Sequence, residues 1–312
     1  MRWIRLEAWL EGRRLVKYFY IKRQDRIVKA CDDISLRVVR GETLGLVGES
    51  GCGKTTAGRL LLRLIDADSG QVIFDDVDLT ALGEKEIRPL RRNFQMIFQD
   101  SKSAFNPRMR VVDSLKESLR LHRDNKPRAL RESIYALIER VNLSRGILHN
   151  FIGNLSGGEL KRLDIARALS IRPRLIIADE PLTLLDMPLQ SRIADLFLEM
   201  QERSGTGLLF ISHDLRMVQV LSHRVAVMYR GRIVESASRR EITDNPLHPY
   251  TRHLWDPKSS AFFIGYPEGG CIYKSSCLLY QKRGFPLICT EEQPDMVEYG
   301  KGHWAACHFA GQ

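Results

Sequence analysis

The sequence predicts an α/β fold with a mainly parallel sheet covered by helices, followed by a short irregular extension. Three observations lead to this prediction. Up to about residue 235, short apolar stretches typical of strands alternate with stretches of helical spacing. One strand-to-helix junction is a glycine-rich octapeptide, residues 48–55. Beyond about 236, six prolines interrupt the chain, and four of its six cysteines lie there. We therefore predict a main domain over 1–235 and an extension over 236–312.

The predicted elements follow this alternation in order. Residues 43–47 form a buried strand, and residues 56–64 form a helix because Ala57, Leu60, Leu61 and Leu64 share one helical face. Between about 100 and 172 the pattern is helical, which indicates a helical insertion into the sheet domain. Its predicted helices are 111–121, 128–141 and 157–170. The later predicted strands are 174–179, 208–211, and 224–229 with 232–235 as a terminal hairpin.

Composition limits the cellular locations and binding partners that we expect for this chain. No apolar run approaches the ~20 residues needed to cross a bilayer, and the N-terminus lacks the apolar stretch of a signal peptide. We expect a cytosolic chain, with any membrane part supplied by other subunits. The net charge of +10 suits nucleotides, an anionic membrane surface or nucleic acid. The basic runs do not alternate with aromatic residues, so we expect solvated basic faces and no nucleic-acid partner.

The octapeptide matches G-x-x-x-x-G-K-[ST], the pattern of a phosphate-binding loop. In such a loop, glycines allow backbone N–H groups to turn towards phosphate oxygens, and the helix N-terminus favours anions. Lys54 is expected to reach the β- and γ-phosphates and Thr55 to bind Mg²⁺. The alternative is a glycine-rich turn that binds nothing. The candidate nucleotide contacts are Gly48, Glu49, Ser50, Gly51, Cys52, Gly53, Lys54, Thr55 and Thr56.

Cys52 lies inside this loop, close to Lys54 and to the start of a helix. Both neighbours favour a thiolate, so we expect a lowered pKa for the Cys52 thiol and a raised reactivity. The alternative is a buried, inert thiol.

Two acids follow the strand at 174–179. Asp179 is expected to hold Mg²⁺ through water, and Glu180 to polarise the water that attacks the γ-phosphate. The alternative is an exposed acidic strand end.

The pentapeptide Leu-Ser-Gly-Gly-Glu at 155–159 predicts a helix start, with Ser156 as N-cap and Glu159 completing a capping box. Two glycines after the cap leave bare N–H groups at a helix N-terminus, a second anion site. The alternative is an ordinary helix start. The pentapeptide resembles the signature motif of ABC-transporter ATPases. This resemblance implies that Ser156, Gly157, Gly158 and Glu159 bind the γ-phosphate of the ATP held by a partner subunit.

Other motifs of that family follow in the same order. Phe98-Gln99-Asp100 is similar to its Q-loop, which implies that Gln99 touches Mg²⁺ and the attacking water. The segment ending at Asp186 is similar to the D-loop, which crosses the dimer interface. It reads Pro-Leu-Thr-Leu-Leu-Asp from residue 181, with bulkier side chains than the usual Pro-Thr-Ser-Ala-Leu-Asp. Ile-Ser-His-Asp at 211–214 is similar to the switch segment, which implies that His213 contacts the γ-phosphate.

The family also places an aromatic residue against adenine, shortly before the first core strand. Tyr20 is our candidate, although it comes somewhat early in this chain. Any of Tyr18, Phe19 and Tyr20 could instead be a core residue.

Two further segments narrow the resemblance to ATPases of the oligopeptide/dipeptide (nickel) importer type. They are Phe-Asn-Pro-Arg-Met at 105–109, soon after Gln99, and a His-Pro-Tyr element within 245–251. The implied fold is a P-loop NTPase domain with an antiparallel β subdomain. The implied activity is hydrolysis of ATP with Mg²⁺, coupled to import of peptides, nickel chelates or similar solutes. The alternative is a soluble ABC ATPase outside transport, in a phosphonate-cleaving complex or associated with nucleic acid.

The same resemblance implies partners and a location. We expect a second ABC ATPase subunit forming a heterodimer, two membrane permease subunits and an extracytoplasmic solute-binding protein. The chain would lie peripherally on the cytoplasmic face of the cell membrane.

The four cysteines of the extension have the spacing C-x₅-C-x₁₁-C-x₁₇-C, which is not a zinc-finger pattern. Cytosolic chains rarely keep structural disulfides, so these residues suggest a metal centre. The segment resembles the C-terminal extension of these importer ATPases, which in some members carries a [4Fe–4S] cluster. Zn²⁺ and four unrelated free thiols are the alternatives. The candidate ligands are Cys271, Cys277, Cys289 and Cys307.

Overall fold

The computed structural model describes residues 8–120, 127–256 and 269–311. The strands are β1 (Ala8–Ile21), β2 (Arg26–Val39), β3 (Thr43–Val47), β4 (Ser69–Phe74), β5 (Val77–Asp78), β6 (Phe94–Ile97), β7 (Leu175–Asp179), β8 (Gly207–Ile211), β9 (Arg224–Tyr229), β10 (Arg232–Ser238), β11 (Val297–Gly300) and β12 (His303–Ala305). The helices are α1 (Lys54–Leu61), α2 (Glu84–Ile87), α3 (Val111–Arg120), α4 (Pro127–Arg140), α5 (Gly157–Ser170), α6 (Met187–Ser204), α7 (Leu215–Leu221), α8 (Arg239–Asp244), α9 (Pro249–Trp255), α10 (Leu278–Lys282) and α11 (Leu287–Glu291).

Contacts divide the described residues into two compact units, which we call unit 1 and unit 2. Unit 1 contains the described parts of Met1–Leu10, Val38–Thr43 and Ile73–Ile211. In it, β6, β7 and β8 are parallel neighbours, with Phe94 opposite Leu175 and Leu175 opposite Gly207. Every residue of β7 and β8 is buried. Continuous burial of this kind is typical of parallel strands covered on both faces.

Unit 2 contains the described parts of Glu11–Arg37, Leu44–Val72 and Ser212–Gln312. Here β3 and β9 are parallel, and β9 continues through a tight turn into antiparallel β10. Strand β10 also pairs antiparallel with β12, which pairs with β11. The long strands β2 and β1 are neighbours in a second sheet.

One buried carboxylate links β10 to later parts of the chain. Glu235 is fully buried, and its two oxygens accept the N–H groups of Leu247 at 2.8 Å and His248 at 2.7 Å. The ring of His303 lies 2.8 Å from the same carboxylate. Burial acts to raise the pKa of Glu235, but these hydrogen bonds hold it below its usual value. The ionised carboxylate therefore joins β10, the His-Pro-Tyr element and β12.

The predicted elements are confirmed with small shifts at their ends. Helix α5 has the predicted bounds, 157–170, and β3 covers the predicted strand. Helix α1 runs over 54–61, so it begins and ends earlier than the predicted 56–64. Residue 121, the predicted end of α3, lies outside the described residues. The division at residue 235 stays a prediction.

Within the described ranges, no helix combines the length and apolar character that a membrane crossing requires.

Candidate functional site

The phosphate-binding loop connects β3 to α1 in unit 2. Its backbone requires glycine at two positions. A Cβ on Gly48 would lie 2.1 Å from the Met228 carbonyl oxygen, and one on Gly53 would lie 2.0 Å from the Ala30 carbonyl oxygen. Gly53 also has φ +113°, a conformation that L side chains rarely adopt. The loop can therefore approach its neighbours closely only because these residues lack side chains.

Lys54, the first residue of α1, points its ammonium into the loop. The side chain is buried, and Nζ donates to the carbonyl oxygens of Gly48 at 2.7 Å and Glu49 at 2.8 Å. Thr55 and Thr56 are half-buried at the start of the same helix, whereas Glu49 and Ser50 are exposed. The loop thus concentrates a positive charge beside a helix N-terminus, the arrangement that binds phosphate.

The expected lowering of the Cys52 pKa is wrong. Cys52 is only 7% exposed, and burial raises the pKa of its thiol above the ordinary value. The Lys54 ammonium, 3.9 Å from Sγ, opposes this effect but does not reverse it. Desolvation disfavours a thiolate more than one nearby charge favours it.

A cavity of about 760 Å³ opens beside the phosphate loop, within unit 2. Its walls carry both cationic and apolar side chains, and two segments of the extension contribute to them. The lining residues are Arg26–Lys29, Asp32, Glu49–Cys52, Tyr229–Arg232, Gly269, Gly270, Ile272 and Gln293.

Tyr20, the candidate adenine contact, lies near the end of β1. Its side chain is exposed, and its hydroxyl donates to Asp25 at 2.6 Å. Phe19 is also exposed, whereas Tyr18 is half-buried and donates to Asp32. Tyr20 is therefore accessible to a ligand, and its contact with adenine stays a prediction.

The candidate acids lie at the carboxyl end of β7 in unit 1. Asp179 and Glu180 are both buried, and Glu180 has φ +47°. A non-glycine residue in this region carries backbone strain, which is common at functional positions. Ile97 is opposite Ala178, so Gln99, two residues beyond β6, follows the same edge of the parallel sheet. The structure thus brings Gln99 to the same sheet edge as both acids.

Helix α5 begins as the sequence predicts. Ser156 Oγ accepts the Glu159 N–H at 3.3 Å, and the Glu159 carboxylate accepts the Ser156 N–H at 2.9 Å. The Ser156 hydroxyl also donates to the Glu159 carboxylate at 2.7 Å, and this bond, together with the one from the Ser156 N–H, holds the pKa of Glu159 below its usual value. A Cβ on Gly157 would lie 3.1 Å from the Leu184 side chain, so the bulky D-loop residue lies over the signature glycines.

Two other predicted residues also lie at helix starts. Asp186 is the N-cap of α6, and its carboxylate accepts the Leu189 N–H at 3.0 Å. His213 is exposed in unit 2, just before Asp214, which caps α7.

The four cysteines of the extension line one small cavity in unit 2, together with Tyr273 and His308. All four are free thiols, and three are buried. Burial raises the pKa of Cys271 to about 12 and that of Cys307 to about 11. Among residues 8–120, 127–256 and 269–311, no group of three or more His, Cys, Asp or Glu side chains has an arrangement that holds a metal ion. The thiols are therefore neighbours, but the metal centre stays a prediction.

Comparison with known proteins decides the family. The profile of the family described as ABC transporter matches residues 31–183. The oligopeptide transport ATP-binding protein AppF of Bacillus subtilis is 38% identical over 97% of this chain and 98% of its own length. OppF, also an oligopeptide transport ATP-binding protein of B. subtilis, is 43% identical over 80% of this chain and 81% of its own.

The chain belongs to the ABC transporter family.

A solved ABC structure agrees with the fold. The dimeric, post-hydrolysis ATP-binding cassette MJ0796, bound to ADP and Pi, superposes with a TM-score of 0.69 at 22% identity. The superposition covers 74% of this chain and 99% of the cassette. The predicted ABC ATPase fold and activity are confirmed. The roles of individual residues in this ABC ATPase stay predictions.

Proposed function

We propose that this chain is the ATP-hydrolysing subunit of an importer for peptides or chemically similar small solutes. The observation that carries this proposal is the glycine-dependent phosphate loop with the Lys54 ammonium inside it. AppF, a relative named for oligopeptide transport, aligns with 97% of this chain, and it supports the peptide class. Nickel chelates are the alternative cargo.

Within this function we assign roles to the site residues. Lys54 holds the phosphates, and Thr55 and Asp179 offer the oxygen ligands that Mg²⁺ prefers. Bound Mg²⁺ would neutralise charge on the phosphates. Glu180 acts as the general base towards water, while Gln99 and His213 contact the water and the γ-phosphate.

The assignment also implies a second nucleotide contact. Ser156, Gly157, Gly158 and Glu159 offer N–H groups at the start of a helix, and they bind the ATP of a second ABC ATPase subunit. Asp186, at the end of the D-loop, lies at that subunit interface. The subunit pair works on the cytoplasmic face with two permeases and a solute-binding protein.

The test is purification with the membrane partners, followed by measurement of ATP hydrolysis in lipid vesicles. We expect hydrolysis to rise when the solute-binding protein is loaded with peptide. A chain that purifies without permeases and hydrolyses ATP independently of peptide would favour a soluble ATPase outside transport.

We also propose that Cys271, Cys277, Cys289 and Cys307 hold a [4Fe–4S] cluster, with Zn²⁺ as the alternative. Four thiols lining one cavity are the correct donor set for either, and binding would release their protons. Anaerobically purified protein should be brown and contain about four iron and four sulfide per chain. Colourless protein with one zinc per chain would indicate a zinc site instead of the cluster. Protein without any metal would exclude both the cluster and the zinc site.

A further inference from the structure

Helix α5 buries two oppositely charged side chains beyond its signature motif. Lys161 is 1% exposed and Asp164 is 0% exposed. Charged side chains are almost never buried this completely unless they are paired, because their desolvation costs several kcal/mol. The two residues are three positions apart, so they lie on the same face of the helix. That face meets the segment containing Gln99, residues 98–104.

Lys161 contacts two consecutive carbonyl groups of this segment. Its Nζ donates to the carbonyl oxygens of Phe98 at 2.7 Å and of Gln99 at 2.9 Å. Hydrogen bonds from a charged donor are about twice as strong as neutral ones. The peptide groups on both sides of Gln99 are therefore tied to α5.

Asp164 contacts the same segment through its acceptor atoms. One carboxylate oxygen accepts the Phe98 N–H at 3.1 Å and the Ser101 hydroxyl at 3.3 Å. The other accepts from Arg167 at 2.9 Å, and Arg167 also donates to the Ala104 carbonyl at 2.7 Å. Phe98 thus has its N–H held by Asp164 and its C=O held by Lys161.

We propose that Lys161 and Asp164 are positioning residues for Gln99. They fix residues 98–104 onto the helix that begins with the signature motif, so that Gln99 moves only together with Ser156–Glu159. The effect on turnover rests on the proposed function, because the catalytic contact of Gln99 belongs to it.

The test uses Lys161→Met and Asp164→Ala in the full chain. Each should speed amide hydrogen exchange of residues 98–104 and leave the affinity for ATP within about two-fold. Each should also lower ATP turnover at saturating ATP by roughly ten- to a hundred-fold, as expected when a catalytic contact is displaced by about 1 Å. Lys102→Met is the matched control, because it removes an exposed lysine from the same segment. It should change neither the amide hydrogen exchange of residues 98–104 nor the ATP turnover.

The pair of variants separates positioning from electrostatics. Lys161 also acts on Asp179 and Glu180 through charge, so Lys161→Met removes a positive charge near them. Asp164→Ala removes a negative charge instead. A positioning role predicts that both variants lower turnover, whereas a charge effect predicts changes of opposite sign. Opposite changes, or unchanged exchange in 98–104, would overturn the proposal.

Wild-type protein gives a measurement that does not depend on the variants folding. The Phe98 amide should exchange slowly, because Asp164 accepts its hydrogen. Rapid exchange at Phe98 would refute the positioning role. Absence of ATP hydrolysis that depends on Lys54 would instead refute the proposed function, and leave the exchange test of positioning intact.

Discussion

The phosphate loop of unit 2 and the Gln99 segment of unit 1 are both short loops that follow a buried parallel strand, yet they are held differently. The phosphate loop depends on close backbone packing, on the Lys54 ammonium that donates to two of its carbonyl groups, and on a neutral hydroxyl from another part of the chain. Tyr250 Oη accepts the Glu49 N–H at 2.9 Å, from 201 residues further along the chain. The Gln99 segment is held by the buried charges of Lys161 and Asp164.

The physical settings of the two contacts differ accordingly. Tyr250 is fully buried against the rings of Tyr229 and Tyr273, with centroids 4.5 and 5.5 Å away. Burial raises the pKa of Tyr250, so its hydroxyl stays protonated at any physiological pH. Burial also lowers the pKa of Lys161 and raises that of Asp164. The neutral contact is inexpensive to bury, whereas each buried charge is stable only while its own partners are present, which are Arg167 for Asp164 and two carbonyl groups for Lys161.

Because the two loops are held by different contacts, the roles that we propose for them, phosphate binding and catalysis, can be separated by experiment. Changes around the phosphate loop should act on ATP affinity, and changes at the unit 1 sheet edge should act on turnover.

Glu180→Gln gives the largest expected effect and tests the catalytic role that we propose for the sheet edge of unit 1. An amide cannot accept the proton from water, so turnover should fall by about 10²–10⁴-fold while ATP affinity is kept. Hydrolysis is measured with the composition of both ATPase sites defined, because an intact site on the second ATPase subunit that we propose would mask the loss. Turnover near the wild-type value would remove Glu180 from the role of base.

Lys54→Ala tests the proposed role of the phosphate loop in binding ATP. Loss of a charged donor should raise the dissociation constant for ATP by about 10- to 100-fold, since hydrogen bonds to charged groups contribute about 1.5–3 kcal/mol. Calorimetry or a fluorescent ATP analogue measures it on the isolated chain. An unchanged dissociation constant would contradict the phosphate-loop assignment.

Tyr250→Phe tests how much the neutral contact contributes to ATP binding, because it removes one neutral hydrogen bond from the phosphate loop. We expect a three- to ten-fold rise in the dissociation constant for ATP, roughly the value of such a bond, and faster hydrogen exchange at the Glu49 amide. Tyr273→Phe, which removes a hydroxyl from a neighbouring ring, is the matched control. Equal effects of both variants would mean that the cluster acts through packing alone.

The last prediction concerns the Cys52 thiol and tests whether burial or charge determines its pKa in the loop. Because its pKa is raised, the thiolate fraction at pH 7 is smaller than that of a free thiol. Alkylation should therefore be slow at pH 7, accelerate about ten-fold per pH unit up to at least pH 8.5, and slow again when ATP is bound. A rate that is already constant around pH 7 would show that Lys54 dominates after all.

Local patterns in the sequence predict much of the fold and most candidate site residues. The sequence predicts the signature helix with the bounds that the structure shows, 157–170, because Ser156 and Glu159 form a clear helix start. The prediction missed α6 as a helix, although a proline at its second residue, Pro188, is compatible with a first turn. It also missed β1 and β2, because the basic residues between Arg13 and Lys29 conceal the apolar positions facing the core.

What holds the two loops could not be predicted from local patterns. Lys161 and Asp164 look like ordinary polar residues of a surface helix, and only the fold shows that they are buried. The His-Pro-Tyr element suggested a family, but not a contact between Tyr250 and Glu49. The prediction of a lowered pKa for the Cys52 thiol is wrong for the same reason. Nearby charges can be identified from neighbouring residues in the sequence, whereas burial cannot.

The carboxylate of Glu235 has a consequence for how this protein is made. Its acceptor atoms are satisfied by Leu247 and His248 and by His303, which is synthesised 68 residues later. Strand β10 therefore emerges from the ribosome well before the histidine that completes its environment. Until β12 arrives, β10 is the edge strand of its sheet, and the ionised Glu235 carboxylate there must stay hydrated. Folding of unit 2 should thus finish only after translation of the extension, which makes premature termination there damaging to the ATPase core as well as to the tail.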